Sequence, residues 1–452
     1  MRALVSAQRA ARWVAVSALV WAAAGATTVL AQPVGEVEFT QGAAVAQAPG
    51  QLPRTMGKGL VLNQGDRLTT AQGASSIVKL RDGTRMTLRP GSELVVQSYR
   101  YQEGASDNSM VLQLVRGGLR AITGLVSKDT PDAAKIQTPT ATLGIRGTDF
   151  DARICGTDCQ AESAKGSDKA RRNAVLASAK LLVVRGEIFA TDMAGNRRRL
   201  SDGGSVYPGD VLQSGAGSSA IVAFRDESRI TLGANSQFRV DSFVFDVQNP
   251  GEGRFLVSLL QGSMRAVTGL VGKADTRNVG FKTPTATIGI RGTGLDLDCA
   301  QPQACSFFSW LGTIEVQPNG QTALQVLQAG QGLWVSDTDV RVLTTPTLDN
   351  LQRPDTVPVN FEQLFSVGGV MPEDVGVFVW VRDGHIQILT ATEVLDLGRG
   401  EVGFARADGK TGRPDAIPLF LQNDPVLMPN RANPMLVGLL REAGSGAPQI
   451  CR

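Results

Sequence analysis

Residues 135–148 read KIQTPTATLGIRGT, and residues 281–293 read FKTPTATIGIRGT. The match extends upstream in register. QLVRGGLRAITGLV at 113–126 returns as SLLQGSMRAVTGLV at 258–271, and SIVKLRDGTRMTL at 76–88 returns as AIVAFRDESRITL at 220–232. An offset of about 145 residues is too long for a short solenoid repeat, so a whole domain is duplicated.

Each block alternates apolar and polar residues over a few positions and then meets Gly, Asp, Asn or Pro, the syntax of half-buried strands joined by tight turns. Asp82-Gly83 suits a turn that needs a positive φ. The second copy has Asp226-Glu227 there, and a different turn type is expected because Glu tolerates that geometry poorly. Helical spacing is nearly absent before residues 361–365. With 51 glycines in 452 residues and 5% aromatics, the composition fits an all-β chain with an aliphatic core. Hairpin-like units surround the copies at 184–204, 310–331 and 381–401.

The expected organisation is a leader at 1–31, a first domain at 34–159, an exposed polar linker at 160–179 and a second domain at 180–343. A Pro-rich linker with a short helix (344–374), a separate C-terminal β-hairpin unit (375–422) and a loosely ordered tail (423–452) follow. The leader combines Arg2, Arg9 and Arg12 with an apolar run and a small-residue end, which predicts cleavage between Ala31 and Gln32. No later segment is apolar enough to span a membrane, so no stable insertion is expected after cleavage. Without the leader's three arginines, the 45 Lys+Arg and 42 Asp+Glu of the chain come into balance. The Arg197-Arg198-Arg199 cluster lacks interleaved aromatics and reads as a solvated loop, so no nucleic-acid partner is expected.

These blocks resemble the FecR domain family. The resemblance rests on Gly65-Asp66 and Gly209-Asp210, on Asp82-Gly83-Thr84, on Thr138 through Thr148 and Thr283 through Thr293, and on Gly312-Thr313-Ile314 with Ala329-Gly330-Gln331. It implies two tandem twisted β-solenoid-like or β-sandwich-like domains. In the family's regulators it implies a periplasmic relay between an outer-membrane receptor and an inner-membrane anti-sigma segment. This chain departs from that plan, since the sequence shows neither the cytoplasmic N-terminal domain nor an internal membrane helix. The expectation is a periplasmic, secreted or cell-surface module that binds another envelope protein, with a structural cell-wall scaffold as the alternative.

Cys155 and Cys159 follow the first Arg-Gly-Thr block as Cys299 and Cys305 follow the second, which predicts one disulfide per copy in an oxidising compartment. A four-thiolate zinc site is the alternative, weakened by unequal spacings in separate copies. Cys451 is left over. Arg146-Gly147-Thr148 and Arg291-Gly292-Thr293 are expected to hold strand ends, each Arg bonding several carbonyls where its Gly lets the chain bend. Asp296 and Asp298 should face solvent, and His385, after Asp383-Gly384, should be an exposed turn residue. No catalytic residues, cofactor or metal are expected, because no nucleophile–base pairing has a sequence-level case.

Overall fold

The computed structural model describes residues 33–423 except 130–132, 165–168, 194, 196, 302, 346, 347, 349 and 369–374, and of Asp129 and Thr293 it describes the backbone alone. The predicted cleavage site at Ala31 and Gln32, and Cys451, therefore lie outside the described residues.

Two large twisted sheets account for nearly all of the secondary structure. In the first copy, Ser75–Leu80, Arg85–Leu88 and Gly118–Ile122 lead antiparallel into the long strand Thr142–Cys155, which carries the Arg-Gly-Thr block. The second copy repeats this with Ser219–Phe224, Arg229–Leu232, Arg254–Val267 and Ala286–Gln301. Each copy also contains one parallel contact, Ala134–Gln137 beside Ser109–Arg116 and Val279–Lys282 beside Arg254–Val267. A short helix, Leu125–Asp129 or Leu270–Ala274, precedes it and makes the crossover.

The copies differ in how the Arg-Gly-Thr strand is covered. In the second copy the chain turns back at once, and Ala304–Pro318 pairs with Ala286–Gln301. In the first copy the chain leaves at Cys155 and builds the whole second copy. It returns as Gly376–Leu389, which pairs with Thr142–Cys155 from Thr142 opposite Leu389 to Cys155 opposite Gly376. Val394–Gly398 and Val402–Arg406 then pair with the returning strand, as Gln325–Gln328 and Gln331–Ser336 do with its counterpart. The expected separate C-terminal unit at 375–422 is thus corrected: its strands complete the first domain, and the second domain is nested inside the first.

The cores agree. Leu94, Val96, Leu112, Leu143 and Ile145 pack in one cluster with Val377, Val379, Val381, Ile386, Ile388, Leu395 and Leu397. Burial of those seven returning side chains is worth on the order of 10 kcal/mol gross. That matches the whole net stability of a typical domain, so copy one depends on the returning segment. A second cluster, from Ala179 to Val335, belongs wholly to copy two.

The polar stretch at 160–179 is not an exposed linker throughout. Thr157–Ser163 is helical. Asn173 is buried, giving its Nδ2 to the carbonyls of Val402 and Pro414, each at 2.8 Å, and taking Val402 N–H at 3.0 Å. The helix expected near 361 is present as Phe361–Phe365. No helix among the described residues is long and apolar enough to cross a membrane.

Candidate functional site

The recurring charges of the motifs mostly hold turns and strands. Asp66 accepts from Asn63 N–H at 2.8 Å and from Arg54 at 2.6 Å, and Asp210 accepts from Tyr207 N–H at 2.8 Å and pairs with Arg198. Gly65 and Gly209 supply the positive φ, 88° and 87°, that these turns need. Asp82 accepts from the N–H and hydroxyl of Thr84 at 3.1 and 2.8 Å, and Asp226 does the same for Ser228 at the same distances. The second turn keeps the type of the first, against expectation, because Glu227 takes the φ of 68° that Gly83 takes at 87°.

Asp296 does not face solvent. It is fully buried and accepts from Arg265 Nε at 2.9 Å, on the strand beside it. Asp151, its counterpart, is buried and accepts from Arg382 Nε at 2.6 Å, with Arg120 close by. Burial pushes the Asp151 carboxyl up, against the pull of Arg382 and Arg120. The paired charges Arg120/Asp151 and Arg265/Asp296 recur in both copies, a signal that a repeat-by-repeat reading of charged positions could have found.

At the Arg-Gly-Thr blocks both ladders slip in register, between Arg146 and Asp149 and between Arg291 and Gly294. Gly147 and Gly292 take positive φ, 58° and 66°. The partner strand bends at Gly384 and Gly312, where a Cβ would stand 2.2 Å from Gly147 O and 2.1 Å from Gly292 O. Thr148 N–H donates to Thr123 Oγ1 at 2.7 Å, and its own hydroxyl donates to His385 O at 2.8 Å. The two arginines part company here. Arg291 is largely exposed and pairs with Glu315 on the neighbouring strand. Arg146 reaches out of its own copy, to the hydroxyl of Ser201 and, at 3.2 Å, to the carbonyl of Asp202. Arg146 thus makes a contact between the copies, which the expected role at its own bend did not include.

That contact belongs to a charged seam. Lys180, on the first strand of copy two, has no exposed surface; its Nζ donates to Asp396 O at 2.9 Å and meets Glu401 at 3.3 Å. Arg413 reaches the same carboxylate at 3.2 Å and the same carbonyl at 2.6 Å. Burial pulls the Lys180 ammonium down from its ordinary value, and Glu401 opposes it. His385 is not an exposed turn residue: it lies within Gly376–Leu389, is 6% exposed and stands 3.4 Å from Asp396. Burial drives its pKa below the usual imidazole value in spite of Asp396.

Beside the seam, a cavity of about 640 Å³ opens between the bend of copy one and the first hairpin of copy two. Arg197-Arg198-Arg199 lines it, and these residues form the strand Arg197–Leu200 instead of the expected loop. Arg197 lies over the Phe189 ring at 3.7 Å, and Arg399 over the Tyr207 ring at 4.5 Å. Arg382, also in the lining, spans Asp151 and the Trp380 ring.

Cys155 and Cys159 stand with Cα atoms 5.4 Å apart, and Cys299 and Cys305 with theirs 4.3 Å apart, each pair in bonding contact. The zinc alternative has no geometry behind it, as no group of three or more ligating side chains gathers among the described residues.

The family model described as "FecR protein" matches residues 66–167 and 210–329. No curated protein matches the chain. Two crystal structures of a "putative anti-sigma factor" from Parabacteroides distasonis are similar at 17% identity, over 29% of this chain and 57% of that one, with a TM-score of 0.24. At that score the likeness carries no argument, and this chain spans little more than half the length of that protein. The two family matches fall in order on the two sheets described above: the chain belongs to the FecR family and carries the FecR domain twice.

Proposed function

We propose that the protein is a non-catalytic binding and signalling module of the bacterial envelope, delivered to the periplasm or cell surface by cleavage after Ala31 and docking there on another envelope protein. The observation that carries this reading is the nesting of one FecR domain inside the other. It makes a single preformed β body whose motif charges hold turns, strands and the seam. Such a body presents long strand edges, which suit recognition by strand addition. The second sheet ends at Val340–Leu343, paired on one side with Gln331–Ser336 and showing Val342 at 75% exposure. Membership of a family of envelope regulators supports a protein partner, and one disulfide per copy suits an oxidising compartment.

The test is capture from a detergent-solubilised envelope fraction with the full chain and with Val342→Asp as baits. An envelope protein retained by the parent and lost from Val342→Asp supports the reading. Equal retention by an unrelated exported β-protein removes it.

A further inference from the structure

We propose that the cavity between the two copies is a binding site for a small molecule carrying two or more oxyanion groups, carboxylate or phosphate. This goes beyond the protein-docking reading and stands or falls separately from it.

Charge supplies the first argument. Arg198 and Arg382 in the lining are tied to carboxylates, Asp210 and Asp151. Lys128, Arg197 and Arg399 also line the cavity and make no ion pair with a carboxylate among the described residues. The guanidinium carbons of Arg197 and Arg399 stand 3.7 Å and 4.5 Å from the Phe189 and Tyr207 ring centres, contacts that position each cation without neutralising it. A guanidinium held by its face keeps its N–H edge for a planar or tetrahedral oxyanion.

The second argument is independent of charge. Ser205 and His385 both line the cavity, and both are more than nine-tenths buried, at 3% and 6% exposure. His385 Nδ1 nevertheless has no hydrogen-bond partner, while Ser205 Oγ lies within reach of the Tyr207 hydroxyl. Buried polar groups are nearly always satisfied, so an orphan nitrogen in this wall points to a missing partner. With Nε2 turned to Asp396, Nδ1 donates to an oxyanion when the ring carries both protons, and an oxyanion beside it favours that charged form. Gly398 makes room for the Ser205 hydroxyl, since a Cβ there would stand 1.9 Å from Ser205 Oγ.

Size gives the third argument. A space of about 640 Å³ falls in the usual range for small-molecule sites. It is larger than a single inorganic oxyanion needs. Lys128, His385 and Arg399 come from copy one with its returning segment, and Arg197 and Ser205 from copy two. A ligand held by both sets bridges the copies.

Titration calorimetry on the full chain tests this with two probes, inorganic pyrophosphate and tricarballylate, at low and at physiological ionic strength. One-to-one binding of either probe is expected, and the stronger of the two identifies phosphate or carboxylate as the preferred group. Lys128→Gln with Arg399→Gln should weaken it about tenfold or more, and Arg254→Gln with Lys282→Gln, outside the cavity, should leave it within about twofold. If the double cavity variant melts below the parent, Lys128→Glu alone serves, because that side chain is exposed and its loss touches no core. Absence of binding for both probes at low salt overturns the proposal. So does equal binding by parent and cavity variants, or an equal loss in the outer variant, which would mark general charge attraction.

Discussion

At the scale of single residues, Glu227 and His385 give the sharpest expectations. Glu227 holds a φ of 68° where the other copy has Gly83 at 87°. A side chain in that region costs roughly 1–2 kcal/mol, and a glycine gives back about 0.5–1 kcal/mol of that through its larger unfolded entropy. Glu227→Gly should therefore stabilise the chain by about 0.5–1 kcal/mol, and Gly83→Glu should destabilise it by about as much, both readable from urea midpoints. His385 is the one histidine in the sequence, so its titration can be isolated. Its folded pKa is lowered by burial, with Arg146 and Lys180 adding to the effect and Asp396 opposing it. Below the unfolded value near 6.5 the unfolded chain takes up a proton that the folded chain refuses. Stability is therefore lost as pH falls below that value, by at most about 1.4 kcal/mol per pH unit until the folded imidazole itself titrates. His385→Gln should flatten that part of the stability–pH curve. An unchanged slope would mean that the imidazole is free to charge in the folded state.

At the scale of strands and turns, what was legible in the sequence was local. The Asp-Gly and Gly-Asp turns, the alternation along residues 75–80 and 219–224, and the two cysteine pairs each declare themselves within a few residues. The partner of Thr142–Cys155 does not, because it lies more than 200 residues away and any apolar strand of matching length satisfies the same pattern. Asp383-Gly384 read as a turn for the same reason; Gly384 is needed instead where the strand crosses Gly147. His385 was misplaced with it, and the seam charges carry no local signature at all. One clue was present: the second copy has its closing hairpin directly after the Arg-Gly-Thr strand, the first copy has none there, and a spare one stands near the end. A fragment of residues 34–165 therefore should not melt cooperatively by circular dichroism. Joined by a short linker to residues 376–423, it should. Residues 176–343 should melt cooperatively alone, since their core is complete. Cooperative melting of 34–165 by itself would show that the returning segment only decorates the first domain.

At the scale of the whole molecule, nesting ties the fate of the copies together, and the seam decides how tightly. Lys180, Glu401 and Arg413 are each at most 3% exposed, so their charges are desolvated and depend on one another. Such a network adds little net stability compared with a well-packed apolar one, yet removing a single member strands the others. Lys180→Met leaves both Glu401 and Asp396 O with Arg413 alone, removing the donor that now lies 2.9 Å from that carbonyl. The cost should be about 3 kcal/mol or more, which is large beside the usual effect of a substitution. It should also fall on the seam and not on either core, because Lys180 belongs to neither apolar cluster. The parent should therefore unfold in one calorimetric transition, and Lys180→Met in two, the lower one accompanied by proteolytic cleavage in the segments between the domains. Lys180→Arg keeps a charge, although its fork fits the ammonium's place poorly, and should fall between the two. A single, barely shifted transition in Lys180→Met would show that apolar contacts such as the cluster of Val175, Ala177 and Tyr207 with Phe365, and not the buried charges, hold the two FecR domains as one body.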